Sequence, residues 1–293
     1  MKSIQNLIDV LSLKEISENE YVGVSKSIGS PIVFGGQVLA QALNAAYRSI
    51  LKNRILHSLH AYFLEPGDLN LPIKYVVTTM RDGGSFSTRR VTAVQGEKTI
   101  FILAASFHKQ EKGHEHQIDF NRAIKQPEEL LNWEDIVVKY GEFLPAAMKT
   151  FLSIDRPIEF KPVHVVNPFE KKDLPPISDV WFKIRGNAAN MNLPLKQQIL
   201  TYISDYTVLA ATLYPNASKA NYGNVQMASL DHSMWFFRGF DLNDWMLYTV
   251  ESPSAYGARG FARGSIYTRD GVLIASVAQE GLVRPIIKSN PKN

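Results

Sequence analysis

The chain has 293 residues, 32 Lys and Arg against 28 Asp and Glu, a net charge of +4 and a pI near 9.0. With 45% hydrophobic and only 20% charged residues it is not a disordered chain, and its length suits two modules or one large one. It contains no cysteine, which excludes disulfides, thiolate metal sites, iron–sulfur clusters and a cysteine nucleophile.

The mild basic surplus forms no arm and no base-stacking motif, so it argues for no nucleic acid and suits a small polyanionic ligand. At the start of the chain Ile4, Leu7, Ile8 and Leu11 recur at helical spacing, and Asp9 breaks the apolar run that a signal peptide would need. The longest uncharged stretch, Ser27 to Tyr47, is interrupted by Pro31, glycines, glutamines and Asn44, a poor membrane span. The expectation is a soluble, cytoplasmic protein without membrane insertion.

Within that stretch a helix is predicted from Gly36 to Ile50. Val38, Leu39, Ala42, Ala45 and Ala46 make it too continuously apolar for a surface helix, so a sheet should wrap it. An aromatic strand, Leu59 to Leu64, follows with His60 at its start, and then a hairpin from Ser85 to Phe107 that turns at Gly96. From Glu111 to Lys161 the character changes: Leu130, Leu131, Trp133, Ile136, Val137 and Tyr140 fit one or two linking helices. Pro157, Pro162 and Pro168 mark an extended entry into the second half of the chain.

The order then repeats. A second helix is expected within Leu195 to Leu213, a second aromatic strand from Met234 to Phe237 with His232 before it, and a second hairpin from Ser254 to Val277, in which Arg259 aligns with Arg89. The prediction is a tandem α+β architecture of two antiparallel sheets, each around one long helix. Its boundaries are 1–112 for the first module, 113–160 for a helical linker and 161–293 for the second module.

The segments Val33-Phe34-Gly35-Gly36-Gln37, His57 to Asp68, Arg81 to Val91, Ser204-Asp205, Leu230 to Phe236 and Ser276 to Gly281 resemble those of the type II acyl-CoA thioesterases, a double-hotdog family. They cover nearly the whole chain. The resemblance implies hydrolysis of acyl-CoA to fatty acid and CoA, no cofactor or metal, and dimers or tetramers of the double-hotdog unit. It also implies a catalytic trio in the second module: Asp205, Ser229 and Gln279. Ser229 stands where threonine is usual among bacterial members, keeping the hydroxyl but not the methyl that stiffens its rotamer.

Chemically, Asp205, placed toward the middle of a largely apolar helix, would take a proton from water that Ser229 and Gln279 orient. Without the resemblance, an Asp there reads first as a solvated helix residue or a cap. No Gly-x-Ser-x-Gly elbow signals a serine nucleophile. Gly36 and Gln37, opening the first helix, could supply amides for an oxyanion, or could be a plain helix-starting turn. His57 could line the cleft or pack at a strand edge. It cannot share a face with His60 on a regular strand. Arg89, Arg259 and Arg263 could bind CoA phosphates or form a cross-strand charge row.

Two other readings compete with hydrolysis. A hotdog enoyl-CoA hydratase would need Asp231 and His232 as an acid–base pair, which adjacent strand residues do not form. A non-catalytic acyl-CoA-binding protein would use the same acidic and hydroxyl residues only to support the fold.

Overall fold

A short helix α1 (Ile4–Leu11) opens the computed structural model, which describes residues 3–120, 122–165 and 172–286. Ser3 and Asn6 cap it reciprocally, each side chain bonding the other's backbone N–H, and Leu7 and Leu11 bury its apolar stripe. There follow β1 (Lys14–Ser17), β2 (Glu20–Gly23), α2 (Gly35–Arg48), β3 (Arg54–Phe63), β4 (Ile73–Asp82), β5 (Phe86–Gln95) and β6 (Lys98–Lys109). Two linking helices, α3 (Trp133–Tyr140) and α4 (Ala146–Leu152), lead into β7 (Ile158–Pro162), β8 (Ile177–Ile184) and α5 (Leu193–Ser204). The last strands are β9 (Val225–Ser229), β10 (Asp231–Phe236), β11 (Met246–Tyr256), β12 (Arg259–Thr268) and β13 (Leu273–Pro285). The predicted Pro168 and the last seven residues of the second module lie outside the described residues.

The two expected sheets join. β3 pairs antiparallel with β10, setting Leu59 opposite Met234 and His60 opposite Ser233, so one sheet runs β1-β2-β4-β5-β6-β3-β10-β13-β12-β11-β8-β7. Read outward from the β3–β10 seam, the two halves repeat the same strand order, as a pseudo-twofold relation requires. β9 adds to the far end of β13.

Inside this curved sheet α2 and α5 lie against each other and run in opposite directions: Gly36 meets Tyr202 at one end, and Tyr47 meets Gln197 at the other. Small residues allow the close approach. Ala40, Ala42, Ala45 and Ala46 of α2 are wholly buried, and a Cβ on Gly36 would stand 2.5 Å from the Tyr202 carbonyl oxygen. The polar side chains of α2 are paired here. Gln41 donates to Val10 O at 2.6 Å and accepts from the Tyr75 hydroxyl at 2.6 Å, and Asn44 donates to Gln198 Oε1 at 3.0 Å. No helix among the described residues is long and apolar enough to cross a membrane.

Arg89 belongs to this interior, which corrects the expectation that it binds phosphate. It is 3% exposed and grips both oxygens of Asp82 at 3.0 Å, with Ser49 Oγ and Ser49 O at 3.0 and 2.9 Å. Arg259 does not share its orientation. It lies on the sheet's outer face, half exposed, paired with Glu280 at 3.0 Å. Arg89→Ala should therefore lower stability by about 1.5–3 kcal/mol in urea unfolding, the range for hydrogen bonds to a charged group. Arg259→Ala should change it by no more than about 0.5 kcal/mol; equal losses for the two variants would contradict this assignment.

Candidate active site

The second helix stops short of its expected end. Ser204 turns its hydroxyl back to Thr201 O at 2.9 Å, and Asp205, Tyr206 and Thr207 are poor helix formers; the chain continues only as a tight 3-10 turn, Val208–Thr212. Asp205 is consequently the C-cap of α5, with φ −86° and ψ −7°, and not a mid-helix residue. A carboxylate there faces the negative end of its own helix dipole.

Opposite it stands the beginning of α2. A Cβ on Gly35 would lie 2.7 Å from Asp205 Oδ2, so bare backbone is required for this approach, and the Gly36 N–H is directed at the carboxyl group. Asp205 Oδ1 is buried and has no hydrogen-bond partner within the chain. Burial pushes the Asp205 carboxyl up to about 7, against the pull of Gln279, the Gly36 N–H and Ser229, which favour its ionised form. Such a group is half ionised near neutrality, as a general base requires.

Ser229 ends β9 opposite Gly281 of β13, and Gln279 lies two residues earlier on the inner side of β13. Gln279 Nε2 donates to Ser229 Oγ at 2.8 Å. The three residues expected as a trio thus come from α5, β9 and β13 and meet at one place, beside the first turn of α2.

The remaining expected site residues are elsewhere. The Gln37 amide bonds Phe34 O at 3.1 Å and its side-chain oxygen accepts from Lys26 N at 3.0 Å, so Gln37 holds the loop before α2 and offers no oxyanion donor. His57 lies on the outer face of the sheet, bonded to Ser106 Oγ at 2.8 Å and edge-on to Phe86, away from Asp205. A bulge between Leu56 and Ser58 shifts the register, and with it His57 and His60 do share that outer face, contrary to the regular-strand expectation. Arg263 is exposed there too, paired with Glu251 at 2.5 Å. Ala262 faces Gln279 across the strand pair, and Arg259 and Arg263, an odd number of residues away on the same strand, both project on the opposite side from the trio.

The sequence offers His232 only as the partner of Asp231 in an acid–base pair, and not as a neighbour of the trio. It is wholly buried, with Nε2 at 3.0 Å from Ser204 Oγ and Nδ1 against Gln279 Oε1. Its signal was the alternation that puts His232 on the apolar face with Met234 and Phe236. Asp231 points the other way and accepts from Glu280 N at 2.8 Å, so the two do not form an acid–base pair.

Comparison with known proteins identifies the family. A family model described as acyl-CoA thioesterase matches residues 147–282, and one described as acyl-CoA thioesterase N-terminal domain matches residues 24–108. Acyl-CoA thioesterase 2 of Haemophilus influenzae is 40% identical over 281 residues, covering 96% of this chain and 98% of the relative. The crystal structure of an acyl-CoA thioesterase II from Mycobacterium marinum superposes with a TM-score of 0.77 at 33% identity, over 94% of this chain and 97% of the other. A protein of Alicyclobacillus acidocaldarius described as having a hot dog fold superposes with a TM-score of 0.75 at 15% identity, over 96% and 99% of the two chains, and shows the fold alone. On the full-length identity and both family models, the chain belongs to the acyl-CoA thioesterases, as a tandem hotdog protein of that family.

Proposed function

We propose that this acyl-CoA thioesterase cleaves its substrate by direct attack of water, with Asp205 as the general base and Ser229 and Gln279 holding that water. The observation that carries the reading is the carboxyl of Asp205, raised to about 7 beside a serine–glutamine pair. Asp205 takes one proton from water as its oxygen bonds to the thioester carbonyl carbon. The tetrahedral intermediate then expels the CoA sulfur, and the proton passes to the thiolate, leaving acid and thiol. The positive end of α2, whose Gly36 N–H already serves Asp205, favours charge on the carbonyl oxygen through its dipole.

A covalent route through Ser229 finds no support. The only imidazole near the trio among the described residues, His232, lies on the far side of Gln279 and bonds its Oε1, not Ser229. The substrate is an acyl-CoA, and the reading includes action in the cytoplasm and assembly into dimers or tetramers. The β3–β10 seam uses the inner edge of each half, leaving β1 and β7 as the outer edges for assembly.

The sign of the pH dependence follows from the raised carboxyl. Only ionised Asp205 is a base, so kcat/KM should rise with pH through about 7 and level off above it. Asp205→Asn should cut kcat by about 10²–10⁴-fold and remove that limb. Thiol release measured against pH for both proteins checks this, and near-wild-type turnover by a folded Asp205→Asn protein would falsify the role.

Because the first turn of α2 comes from one half and the trio from the other, neither residues 1–112 nor residues 161–293 should hydrolyse acyl-CoA alone. Co-expressed halves should recover activity through the β3–β10 pairing and the α2–α5 contact. A C-terminal half working at the full-length rate would remove α2 from the site.

A further inference from the structure

Gln279 has a task that its own chemistry does not fulfil. A glutamine amide is nearly symmetric in shape, and turned over it would present its oxygen where its nitrogen stands. Something must choose. Gln279 is buried and its nitrogen meets Ser229 Oγ at 2.8 Å while its oxygen meets His232 Nδ1. His232 in turn meets Ser204 Oγ at 3.0 Å, and Ser204 Oγ also lies 2.9 Å from Thr201 O.

Burial drives the His232 imidazole down to about 4, although Gln279 opposes this, so the ring is neutral and carries a single N–H. Ser204 has one proton to give, to Thr201 O or to His232 Nε2, so two proton arrangements compete. In one, Ser204 gives its proton to His232 Nε2 and releases Thr201 O, His232 Nδ1–H donates to Gln279 Oε1, and the Gln279 nitrogen faces Ser229 and Asp205. In the other, Ser204 donates to Thr201 O, His232 carries its proton on Nε2, and Gln279 is reversed, with its oxygen toward the carboxylate. The second sets an amide oxygen against an ionising Asp205, in surroundings where burial strengthens the repulsion.

We infer that His232, held by Ser204, is a positioning residue: its Nδ1–H captures Gln279 Oε1 and thereby points the amide nitrogen at Ser229 and Asp205. This rests on the reading of Gln279 as a water-orienting group. His232 touches neither water nor substrate in this scheme and acts only through Gln279.

Three substitutions separate positioning from packing. An asparagine at 232 sets an amide nitrogen near the place of Nδ1 and keeps the bond to Gln279; a glutamine reaches the place of Nε2 and does not; a leucine only fills space. His232→Leu and His232→Gln should lower kcat by about 10–100-fold with little change in KM, the cost of a misplaced reacting group. His232→Asn should restore most of that loss. In the wild-type protein the imidazole ¹⁵N shifts should report an Nδ1–H tautomer for His232, a measurement that needs no variant to fold.

An Nε2–H tautomer, or equal turnover of His232→Asn and His232→Leu, overturns the inference. Gln279→Ala distinguishes the levels. If it loses turnover while His232→Leu keeps it, only the positioning role fails; if Gln279→Ala itself turns over normally, the reading of Gln279 fails and the inference with it.

Discussion

The structure depends on one placement: a carboxyl group buried between two helix ends of opposite polarity. Asp205 closes α5, where the helix dipole disfavours its charge, and meets the start of α2, where the dipole and the Gly36 N–H favour it. The helices must run antiparallel for this, and they must be close. Both conditions trace to the pseudo-twofold sheet and to Gly35 and Gly36, where any Cβ would strike Asp205 or the Tyr202 carbonyl. Since folding holds a proton on Asp205 more tightly than the ordinary value of 3.8, the carboxyl works against the fold increasingly as pH rises from there through about 7. The same opposition makes it a base.

A pseudo-twofold fold should offer two such places, and this chain equips one. At the other end of the helix pair the C-cap of α2 is Ser49, where α5 has Asp205. Across the hairpins, Arg89 faces Ala105 where Ala262 faces Gln279. In the first module, then, an arginine occupies the space beside the helix end, bound to Ser49 and neutralised by Asp82. The glutamine has no counterpart. The interior there is closed by an ion pair, and fusing two modules in one chain is what lets the two ends differ.

Much of this was legible in the sequence, and the failures have physical causes. The apolar continuity of α2 gave its place to within two residues, because a helix wrapped by a sheet has no polar face to confuse the pattern. Both hairpins follow from alternation and their glycine turns. The repeat, however, was aligned by matching arginines, and Arg89 faces inward while Arg259 faces outward; similarity of type does not give the pleat. The bulge beside His57 was equally silent. Asp205 was found through a motif, but its position at a helix end was not, since that depends on where Ser204 sends its hydroxyl.

The two aspartates show why the proposed base has no cation beside it. Asp82, hydrogen-bonded by Arg89 and Ser87, is held below the ordinary carboxylate range, and a carboxylate so stabilised is a weak base. Asp205 also has a buried arginine in its neighbourhood. Arg156 stacks over Trp133 at 4.6 Å and Phe151 at 4.9 Å, against the ring of Tyr206, the residue next to Asp205. Its charge is taken up by these aromatic faces, and Arg156 is not among the groups that act on Asp205. Phe34 packs on Tyr202 and Tyr206 from the α2 side. An aromatic layer therefore stands between the linker's cation and the carboxyl, and a direct Arg156–Asp205 pair, however favourable to the fold, would take away the proton affinity that the proposed base needs.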